Sequence, residues 1–379
     1  MSGAIEEQMA EPAAILTVNA GSSSLRLDLV QGGSVLDSAH AERAVDPGTA
    51  RDEVSAFLGG HFDRDIRAVA HRLVHGGEIV RTATVADDET VAALREVRSL
   101  APLHLPPSLA LLAAAREELP AVPHVLCPDT AFHAGLPTAA ATYALPREWR
   151  ERHGLRRYGF HGLSYAWAAD RVAELLGRPV AELELVLAHL GGGCSVCAVS
   201  GGRSLDTSMG FTPLDGVPMS KRSGSVDPGM LVWLLSEGHL SLEELGEGLE
   251  RRSGLLGLSD GRSGDTRDLV AAERDGDEAA ALALSVFAHR VSREIAAVAT
   301  SLSRIDALVF TGEIGWDQPE VREAVCRRLG LLGVQPPAGG NRHEDGPVSA
   351  YGVPVMVVQV REELQLAREC LQVLAEEEE

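Results

Sequence analysis

The sequence predicts an α/β protein in which two duplicated domains flank a central cleft. Three observations support this fold class. The chain of 379 residues is long for a single hydrophobic core. A turn rich in glycine and serine separates two strand-like runs in NAGSSSLRLDLV, residues 19 to 30. A similar segment, AHLGGGCSVCAVSGGRSLD, recurs at residues 188 to 206.

The first of these segments predicts a β-hairpin. Leu25, Leu27 and Leu29 alternate with Arg26 and Asp28, which is the period of a strand. The common phosphate-binding loop needs a second glycine followed by Lys and Ser or Thr, and it opens a helix. A turn between two strands is therefore the prediction here.

The two hairpin segments resemble each other in the order of their parts. Each has a strand that ends in a polar residue, Asn19 or His189, and then a glycine, Gly21 or Gly191. A Gly-Gly pair and a second strand ending in Asp follow in both, at offsets of 169 to 170 positions. The alternative is chance similarity, because short glycine-rich turns recur widely. If the repeat is real, two such turns could grip a polyphosphate with backbone N–H groups, a plan that resembles actin-like, ribonuclease H-like proteins and the sugar kinases.

The remaining segments predict strands and helices in turn, as in other α/β proteins. Between the hairpins, IRAVAHRLVHGG predicts a buried strand entering a glycine turn, SLALLAAAREEL a helix, and SYAWAADRVAELLG an amphipathic helix closed by Gly177. After the second hairpin, DEAAALALSVFAHRVSREIAAVATSL predicts a long buried helix, and IDALVFTGEIG a strand entering a further glycine turn. QPEVREAVCRRLGLLG predicts a helix with Pro319 near its start, VPVMVVQV a strand, and REELQLARECLQVLAEE the terminal helix.

Composition restricts the partners. The formal net charge of −21 disfavours nucleic acid and anionic membranes. It permits a small anionic substrate at a locally basic site. The start, MSGAIEEQMAEPAA, is acidic and lacks the apolar run of a secretory signal, and no segment reaches the length of a membrane span.

The five cysteines indicate a reducing cytoplasm, because their number is odd and their spacing irregular. Cys194 and Cys197 form a CxxC that could be a metal or redox pair. They lie in an apolar alternating stretch without a second pair, so small strand residues are the favoured interpretation.

Four segments combine reactive side chains with turn residues. Arg72 ends an apolar strand in HRLVHGGE, and Asp129 and His133 lie in CPDTAFHAGLP. His161 lies between glycines in RRYGFHGLSY. The fourth segment, residues 206 to 228, contains Arg222 and has no helical or strand period, which in a compact domain favours function.

Each of these residues also has a structural interpretation. Arg72 could form an ion pair with Asp129 or Glu78, His161 could cap a turn, and Asp129 could be a helix cap. Together they supply what phosphoryl transfer needs. Arginines bind anionic oxygens, a histidine donates to developing charge, and a carboxylate holds hydrated Mg²⁺.

On these and further motifs the chain resembles the acetokinase family, the acetate kinases. The matching segments follow the family's order over roughly residues 14 to 375 and are NAGSSSLR, HRLVHGGE, LAPLHLPPSL, DTAFH, YALPREW, RRYGFHGLS, AHLGGGCSV, DTSMGFTPLDG, RSG, SGLLGLS and DALVFTGEIG. Matches this long and ordered are far more specific than one glycine motif.

The resemblance implies roles for matching residues. Arg72 and Arg222 would bind the carboxylate and the phosphoryl group, His161 would stabilise the transition state, and Asp129 would help to position Mg²⁺. Asn19 and Glu362 would be the metal-site residues. The substrate pocket would comprise Val74, Leu103, Phe160 and Pro213. The nucleotide-binding residues would be Ser24, Arg26, His189, Gly191, Gly192, Gly193, Asp265, Thr266, Arg267, Glu313, Ile314 and Gly315.

The implied activity is that of a phosphotransferase with a carboxyl group as acceptor. The γ-phosphoryl group of ATP would pass reversibly and in line to acetate, giving acetyl phosphate and ADP, in a cytoplasmic homodimer. An N-terminal acyl and phosphoryl-site domain, residues 1–140, would be completed by the final helix, residues 363–379. Residues 141–362 would form the nucleotide-binding and dimerisation domain. The alternatives are a propionate or butyrate kinase, a kinase with another donor such as pyrophosphate, and a non-catalytic ligand-binding relative.

Departures from the family pattern cluster on the nucleotide side, whereas the acyl-side residues are intact. The phosphoryl acceptor is therefore better supported than the donor. The departures are Tyr165 for His, Gly192 for Asn, Ser220, Lys221 and Ser225 in SKRSGS, Glu313 for Gly, Trp316 and Asp317 for Glu-Asn, and Arg361 for Asn. Lys221 is the single lysine of the chain, and it adds a positive charge next to Arg222.

Overall fold

The computed structural model describes residues 13–21, 24–43, 45–60, 65–96, 105–337 and 344–378. The chain divides into two compact units, between Pro128 and Asp129 and again between Arg361 and Glu362. The first unit therefore combines the N-terminal third with the last helix, and the second unit is continuous. The functional domains predicted at 1–140 with 363–379 and at 141–362 stay a prediction.

The first unit is built on a six-stranded mixed sheet in the order β3-β2-β1-β4-β6-β5. Strand β1 pairs antiparallel with β2 and parallel with β4, so the predicted hairpin forms one half of the sheet. The strands are β1 (Ala14–Ala20), β2 (Leu25–Gln31), β3 (Ser34–Ala41), β4 (Ile66–Leu73), β5 (Thr84–Val85) and β6 (His124–Pro128).

Helices cover both faces of this sheet. Leu16 and Leu27 of the sheet belong to one buried cluster with Val54 and Leu111 of the helices on that side. Alternate strand residues point to opposite faces, so Asn19 lies on the other face, where the last helix packs against β1, β4 and β6. The helices are α1 (Ala50–Gly59), α2 (Asp88–Glu96), α3 (Leu105–Glu118) and α14 (Glu362–Glu378).

The second unit is built on a sheet of the same topology. Its order is β9-β8-β7-β10-β12-β11, with β7 antiparallel to β8 and parallel to β10. In each sheet, an antiparallel three-strand half is joined to two parallel strands and a short antiparallel edge strand. The strands are β7 (Glu184–Leu190), β8 (Cys194–Ser200), β9 (Arg203–Thr207), β10 (Ala307–Thr311), β11 (Gly346–Pro347) and β12 (Val355–Val357).

Helices again cover both faces of the second sheet. Tyr165 and Val172 of α6 join Leu187 and Val309 of the sheet in one buried cluster, and the long α11 contacts β7 and β8. The helices are α4 (Thr138–Ala141), α5 (Arg147–His153), α6 (Gly162–Leu176), α7 (Pro228–Ser236), α8 (Leu242–Arg251), α9 (Gly254–Leu258), α10 (Thr266–Arg274), α11 (Glu278–Ala299), α12 (Gly312–Asp317) and α13 (Pro319–Cys326).

The duplication extends to details of the backbone. The Gly-Gly pairs that connect β2 to β3 and β8 to β9 both have two left-handed residues, as tight hairpin turns require. Their φ angles are 57° and 77° at Gly32 and Gly33, and 57° and 76° at Gly201 and Gly202. Each hairpin then has a register shift at the same distance from that turn, between Leu29 and Val30 and between Ala198 and Val199. The predicted fold class is confirmed by this repeated topology.

The five cysteines are buried and free. Cys194 and Cys197 both lie on β8, three residues apart, and therefore point to opposite faces of the sheet. They cannot act as one metal or redox pair, so they are small strand residues. In the part of the chain that is described, no helix has the length and apolar character needed to cross a membrane.

Candidate active site

In the first unit, three predicted residues form one polar cluster. Arg72 donates from Nη1 to Asn19 Oδ1 over 2.9 Å, and Asn19 donates from Nδ2 to Glu362 Oε2 over 2.8 Å. The Arg72 Nη1 atom also lies 3.7 Å from Glu362 Oε2. The side chains of Arg72 and Glu362 are each 13% exposed, so the charges are mostly removed from water but open to a ligand.

The fold explains why these residues meet. Asn19 and Arg72 lie near the carboxyl ends of β1 and β4, which are parallel neighbours, and Glu362 begins α14 on the same face. The carboxyl ends of parallel strands are the common place for ligand sites in α/β sheets. The sequence analysis named Asp129 and Glu78 as possible ion-pair partners of Arg72. In the structure the Glu362 carboxylate lies beside Arg72, and Glu78 lies 3.7 Å from Arg81.

The first hairpin holds two further predicted residues. The Ser24 carbonyl accepts a hydrogen bond from the Gly21 amide over 2.8 Å and closes the turn. Arg26 donates to Asp28 over 2.9 Å and lies 3.6 Å from Glu363. Burial is the main cause that raises the pKa of Asp28, so Arg26 supplies the opposite charge that this carboxyl needs.

The two pocket residues predicted in this unit differ in what can be said of them. Val74 is buried directly after β4. A side chain at Gly76 would place its Cβ 1.9 Å from the Val80 carbonyl oxygen, so glycine is required for this tight turn. Leu103 lies outside the described residues.

In the second unit, His161 occupies a constrained position. It precedes the first turn of α6 with a φ of 60°, a left-handed conformation that is uncommon outside glycine. Its ring stacks on His189 at a centroid distance of 4.2 Å. Its Nδ1 atom lies 2.8 Å from Ser195 Oγ, which in turn lies 2.5 Å from the Tyr165 hydroxyl.

Glycines on either side of His161 allow close packing. The Gly162 amide donates to the Asp129 carbonyl over 3.0 Å, and a Cβ at Gly162 would lie 2.2 Å from that oxygen. A Cβ at Gly159 would lie 2.5 Å from the ring of His133. Asp129, directly after β6, is 1% exposed. The RRYGFHG motif therefore anchors His161 against the segment that carries Asp129.

His133 is a structural residue that the sequence analysis did not assign to the site. Its Nδ1 atom lies 2.8 Å from Ser204 Oγ, and its Nε2 atom lies 3.0 Å from the carbonyl of Phe160. Burial lowers the pKa of His133 to about 4, so the ring is neutral near pH 7. It fixes the backbone of Phe160, a fully buried residue that was predicted for the substrate pocket.

The irregular segment predicted at 206–228 connects β9 to α7 and positions Arg222. The Arg222 guanidinium donates to the Pro213 carbonyl over 3.0 Å, and burial lowers its pKa. A Cβ at Gly193 would lie 3.0 Å from His161 Nε2 and 3.9 Å from Arg222 Nη2. The histidine and the arginine therefore face the same point above this glycine. Lys221 is exposed.

The glycine turn after β7 adjoins the turn after β10. A Cβ at Gly191 would lie 3.7 Å from the Glu313 amide nitrogen, whereas nothing lies within 4 Å of a Cβ at Gly192. Gly312, with a φ of 77°, lets α12 begin against the Leu190 carbonyl. Ile314 and Gly315 are buried in this helix, and Glu313 is exposed. His189, at the end of β7, lies 2.8 Å from Ser164 through Nδ1.

The predicted adenosine segment forms the start of α10. Asp265 caps the helix by accepting from the Arg267 amide over 2.8 Å, and it also pairs with the Arg267 guanidinium. Hydrogen bonds to Asp265 are the main cause that raises the pKa of Arg267, and the charges of Glu313 and Asp317 add to it. Thr266 is buried. The segment thus lies within electrostatic reach of the Glu313 turn.

The structure brings the predicted residues into sets, each within one unit. The first set is Asn19, Arg72 and Glu362, and the second is His161, His189, Gly193 and Arg222. Sequence reasoning missed Ser195 and Ser164, which hold the two histidines, and treated Tyr165 only as a departure. A hydroxyl at position 165, one helical turn after His161, was the available signal.

Taken together, a duplicated α/β fold, a histidine and an arginine that converge above Gly193, and a glycine turn with exposed Gly192 indicate a phosphotransferase. The profile of the Acetokinase family matches residues 38–368. The chain belongs to the acetokinase family and is therefore a phosphotransferase with a carboxyl group as acceptor, as predicted.

Acetate and propionate kinases from other organisms are similar to this chain in sequence and in structure. The acetate kinase of Deinococcus deserti is 47% identical over 332 residues, which cover 86% of this chain and 83% of that protein. The crystal structure of Porphyromonas gingivalis acetate kinase superposes with a TM-score of 0.85 at 32% identity, covering 96% of this chain and all of that one. A propionate kinase from Francisella tularensis gives the same TM-score of 0.85 at 31% identity, covering 94% and 98% of the two chains.

Proposed function

We propose that the chain transfers the γ-phosphoryl group of ATP reversibly to acetate, giving acetyl phosphate and ADP by direct in-line displacement. The observation that carries the proposal is the convergence of His161 and Arg222 on one point above Gly193. A planar phosphoryl group in flight carries negative charge on its equatorial oxygens, and donors fixed in advance stabilise that charge at little reorganisation cost.

The acceptor needs no general base. A carboxylate is already a charged nucleophile, so the obstacle is its repulsion by the anionic phosphoryl group. Arg72, mostly buried and held by Asn19 and Glu362, offers a guanidinium oriented for an anionic oxygen. Arg222 and Arg72 offset the repulsion, and the enzyme then works by positioning and charge stabilisation.

A divalent cation fits the first cluster. Mg²⁺ is usually bound through one or two carboxylates together with substrate phosphates, and Glu362 with the amide of Asn19 supplies that kind of donor set. The described residues contain no group of three acidic, histidine or cysteine side chains that could form a closed protein cage. Glu362 and Asn19, with Asp129, are the proposed Mg²⁺ residues. The bound ion would neutralise charge on the phosphate oxygens.

The nucleotide phosphates are proposed to bind at the glycine turns. The Gly191 amide closes this turn on the Gly193 carbonyl, and the amides of exposed Gly192 and half-buried Gly193, beside the Glu313 turn, are the proposed donors. Ser24 and Arg26 of the equivalent hairpin in the first unit are also proposed as nucleotide-binding residues. Asp265, Thr266 and Arg267 would contact the adenosine, and Ile314 and Gly315 would pack beneath it.

The acyl group is proposed to lie against Val74, Phe160 and Pro213, with Leu103. If these apolar residues line the acyl site, acetate would be favoured and propionate would be a weaker substrate, because one methylene is worth only about 1–3 kcal/mol. Propionate as the main substrate is the second candidate function, which the likeness to the Francisella propionate kinase favours. The Val74→Ala change should improve propionate relative to acetate.

A homodimer through the second unit is also part of the proposal. Helix α7 has no buried residue, yet its sequence PGMLVWLLS is almost entirely apolar. Val232 and Trp233 are 65% and 53% exposed. An apolar helix of this kind is typical of a covered subunit interface, and a second copy of the chain is the proposed cover. The free, buried thiols favour the cytoplasm.

The test is acyl phosphate formation trapped as the hydroxamate. Acetate, propionate and butyrate are each offered with ATP or pyrophosphate and Mg²⁺, and size-exclusion chromatography with light scattering gives the subunit number. Acetate with ATP should give the highest kcat/KM, and Arg222→Ala should lower it by about 100- to 1,000-fold. No acyl phosphate from any pair would favour a non-catalytic relative, and activity with pyrophosphate alone would overturn the donor.

A further inference from the structure

A buried chain of hydroxyl groups leads to His161 from behind. Tyr165, one turn into α6, is fully buried, and its hydroxyl lies 2.5 Å from Ser195 Oγ. Ser195, on β8, is also fully buried and lies 2.8 Å from His161 Nδ1. The other ring nitrogen, Nε2, faces the point above Gly193 that Arg222 also faces. The chain thus ends at the face of the histidine opposite to the proposed reacting group.

The number of protons on these groups fixes the direction in which the hydrogen bonds of the hydroxyl chain are donated. Burial keeps the Tyr165 hydroxyl protonated, since it raises the pKa of that phenol well above its ordinary value, and Ser195 Oγ is its hydrogen-bond partner among the described residues. A buried phenol proton needs an acceptor, so the Tyr165 proton is directed to Ser195 Oγ. The Ser195 proton is then directed to His161 Nδ1.

The opposite direction is unfavourable. If His161 donated from Nδ1 to Ser195, the Ser195 proton would point to the Tyr165 oxygen. The phenol's own proton would be left without an acceptor inside the core, which costs the full desolvation penalty of that group. A doubly protonated His161 meets the same conflict.

We propose that Tyr165 is a positioning residue that, through Ser195, holds His161 as the neutral imidazole with its proton on Nε2. The inference rests on the proposed role of His161 in stabilising the phosphoryl group. Its effect is to keep one N–H donor aimed at that group without a general-base function. The tyrosine, which departs from the histidine of the family pattern, gives this chain its own way of fixing the tautomer.

The test measures the tautomer directly. Long-range ¹H–¹⁵N spectra of the ¹⁵N-labelled chain distinguish a protonated from an unprotonated ring nitrogen, and a His161→Gln variant assigns the signals. The parent should show His161 with a protonated Nε2 and a bare Nδ1. Tyr165→Phe keeps the ring volume but removes the donor, so its His161 signals should move toward a mixture of the two tautomers. Tyr158→Phe is the control, because the Tyr158 hydroxyl donates to Gly154, away from this chain of groups.

Turnover gives a second readout. In Tyr165→Phe, kcat should fall about tenfold while KM for acetate stays within about twofold, because only the transition-state contact is weakened. Ser195→Ala, a smaller change, tests the middle link if the tyrosine variant does not fold. The double variant should lose no more activity than Ser195→Ala alone.

Two results would overturn the inference. One is a parent His161 that is protonated at Nδ1, and the other is a Tyr165→Phe variant with the parent's spectrum and kcat. Failure of the proposed function is a separate outcome, because it would appear as a parent that makes no acyl phosphate, whereas the tautomer is measured without substrate.

Discussion

The two sheets share one topology but end in different chemistry. In the first unit, the ends of β1 and β4 carry Asn19 and the charged Arg72. At the equivalent ends of β7 and β10, the second unit carries His189 and Thr311, which are paired in register. The comparison teaches that duplication preserved the sheet topology and the Gly-Gly turns, while the side chains at the strand ends diverged.

The turns themselves diverged in the same sense. In the first hairpin the Gly21 amide donates to the Ser24 carbonyl, whereas in the second the Gly191 amide donates to the Gly193 carbonyl, one residue nearer along the chain. A glycine turn offers backbone donors without side chains, which suits a polyphosphate, whereas the arginine cluster suits a single carboxylate or phosphoryl group. The predictions below test this division, from the largest expected effect to the smallest.

The largest effect should come from the charged strand end. Arg72→Ala removes the guanidinium held between Asn19 and Glu362, so kcat/KM for acetate should fall by about 100- to 1,000-fold in the hydroxamate assay. Thr311→Val is the matched change at the equivalent strand end. The Thr311 hydroxyl is buried and has no hydrogen-bond partner among the described residues, so this variant should keep its activity and be as stable as the parent or more so. Equal losses in the two variants would refute the division.

Acid should destabilise both units. Burial lowers the pKa of His133 to about 4 and that of His71 well below 6.5, so the unfolded chain binds protons that the native one does not. Stability is therefore complete above pH 6.5 and is lost as pH falls toward 4, by on the order of 3 kcal/mol for His133. Urea unfolding across this range should show the loss, and His133→Gln should flatten the slope. A parent that gains stability on acidification would contradict the assignment.

Substitutions at Gly192 and Gly193, in the turn after β7, should differ in their effect on activity. A methyl group at Gly193 would meet the His161 ring at 3.0 Å, so Gly193→Ala should displace the ring and lower kcat by roughly 100-fold. Gly192→Asn meets open space and restores an amide donor, so kcat should be kept and apparent ATP affinity should rise. Steady-state kinetics with varied ATP measure both effects. Similar losses of activity in the two variants would show that Gly193 does not differ from Gly192 in its contact with His161.

The smallest effect should come from Glu313, the exposed carboxylate beside the glycine turn after β7. Glu313→Gly should tighten ATP binding severalfold, about 1 kcal/mol, because it removes both bulk and negative charge from the turn near Gly191. Glu313→Gln keeps the bulk and removes the charge, so it separates the two causes. ATP affinities equal to that of the parent in both variants would show that Glu313 does not face the nucleotide.

Local sequence patterns were sufficient to predict most of the fold. The paired glycines and the alternation around them predicted both hairpins, and the apolar periods predicted α6, α11, α13 and α14. Helices α7 to α9 were not predicted. Helix α7 is apolar on all sides and α9 has only five residues, so neither has the one-sided period of a core helix, whereas α8 has that period in Leu242, Leu245 and Leu249 and was overlooked.

The site was predictable by residue type but not by contact. Asn19 meets Glu362 across 343 positions and Arg72 across 53, and only the sheet order brings them together. The repeat singled out Asn19, the end of an apolar strand singled out Arg72, and the resemblance to the acetokinase family supplied Glu362, whereas spacing alone supplied none of the pairings. Ser195 had no signal, because it is one small residue in an apolar strand.

The buried thiols offer a built-in record of local opening. Cys127 and Cys370 lie in the first unit, and Cys194, Cys197 and Cys326 lie in the second. Burial raises the pKa of the last four to about 12, so almost no reactive thiolate exists while the core is closed. Alkylation by a small maleimide should then proceed only as fast as each core opens locally. Peptide mass mapping would give the rate of opening of each unit separately.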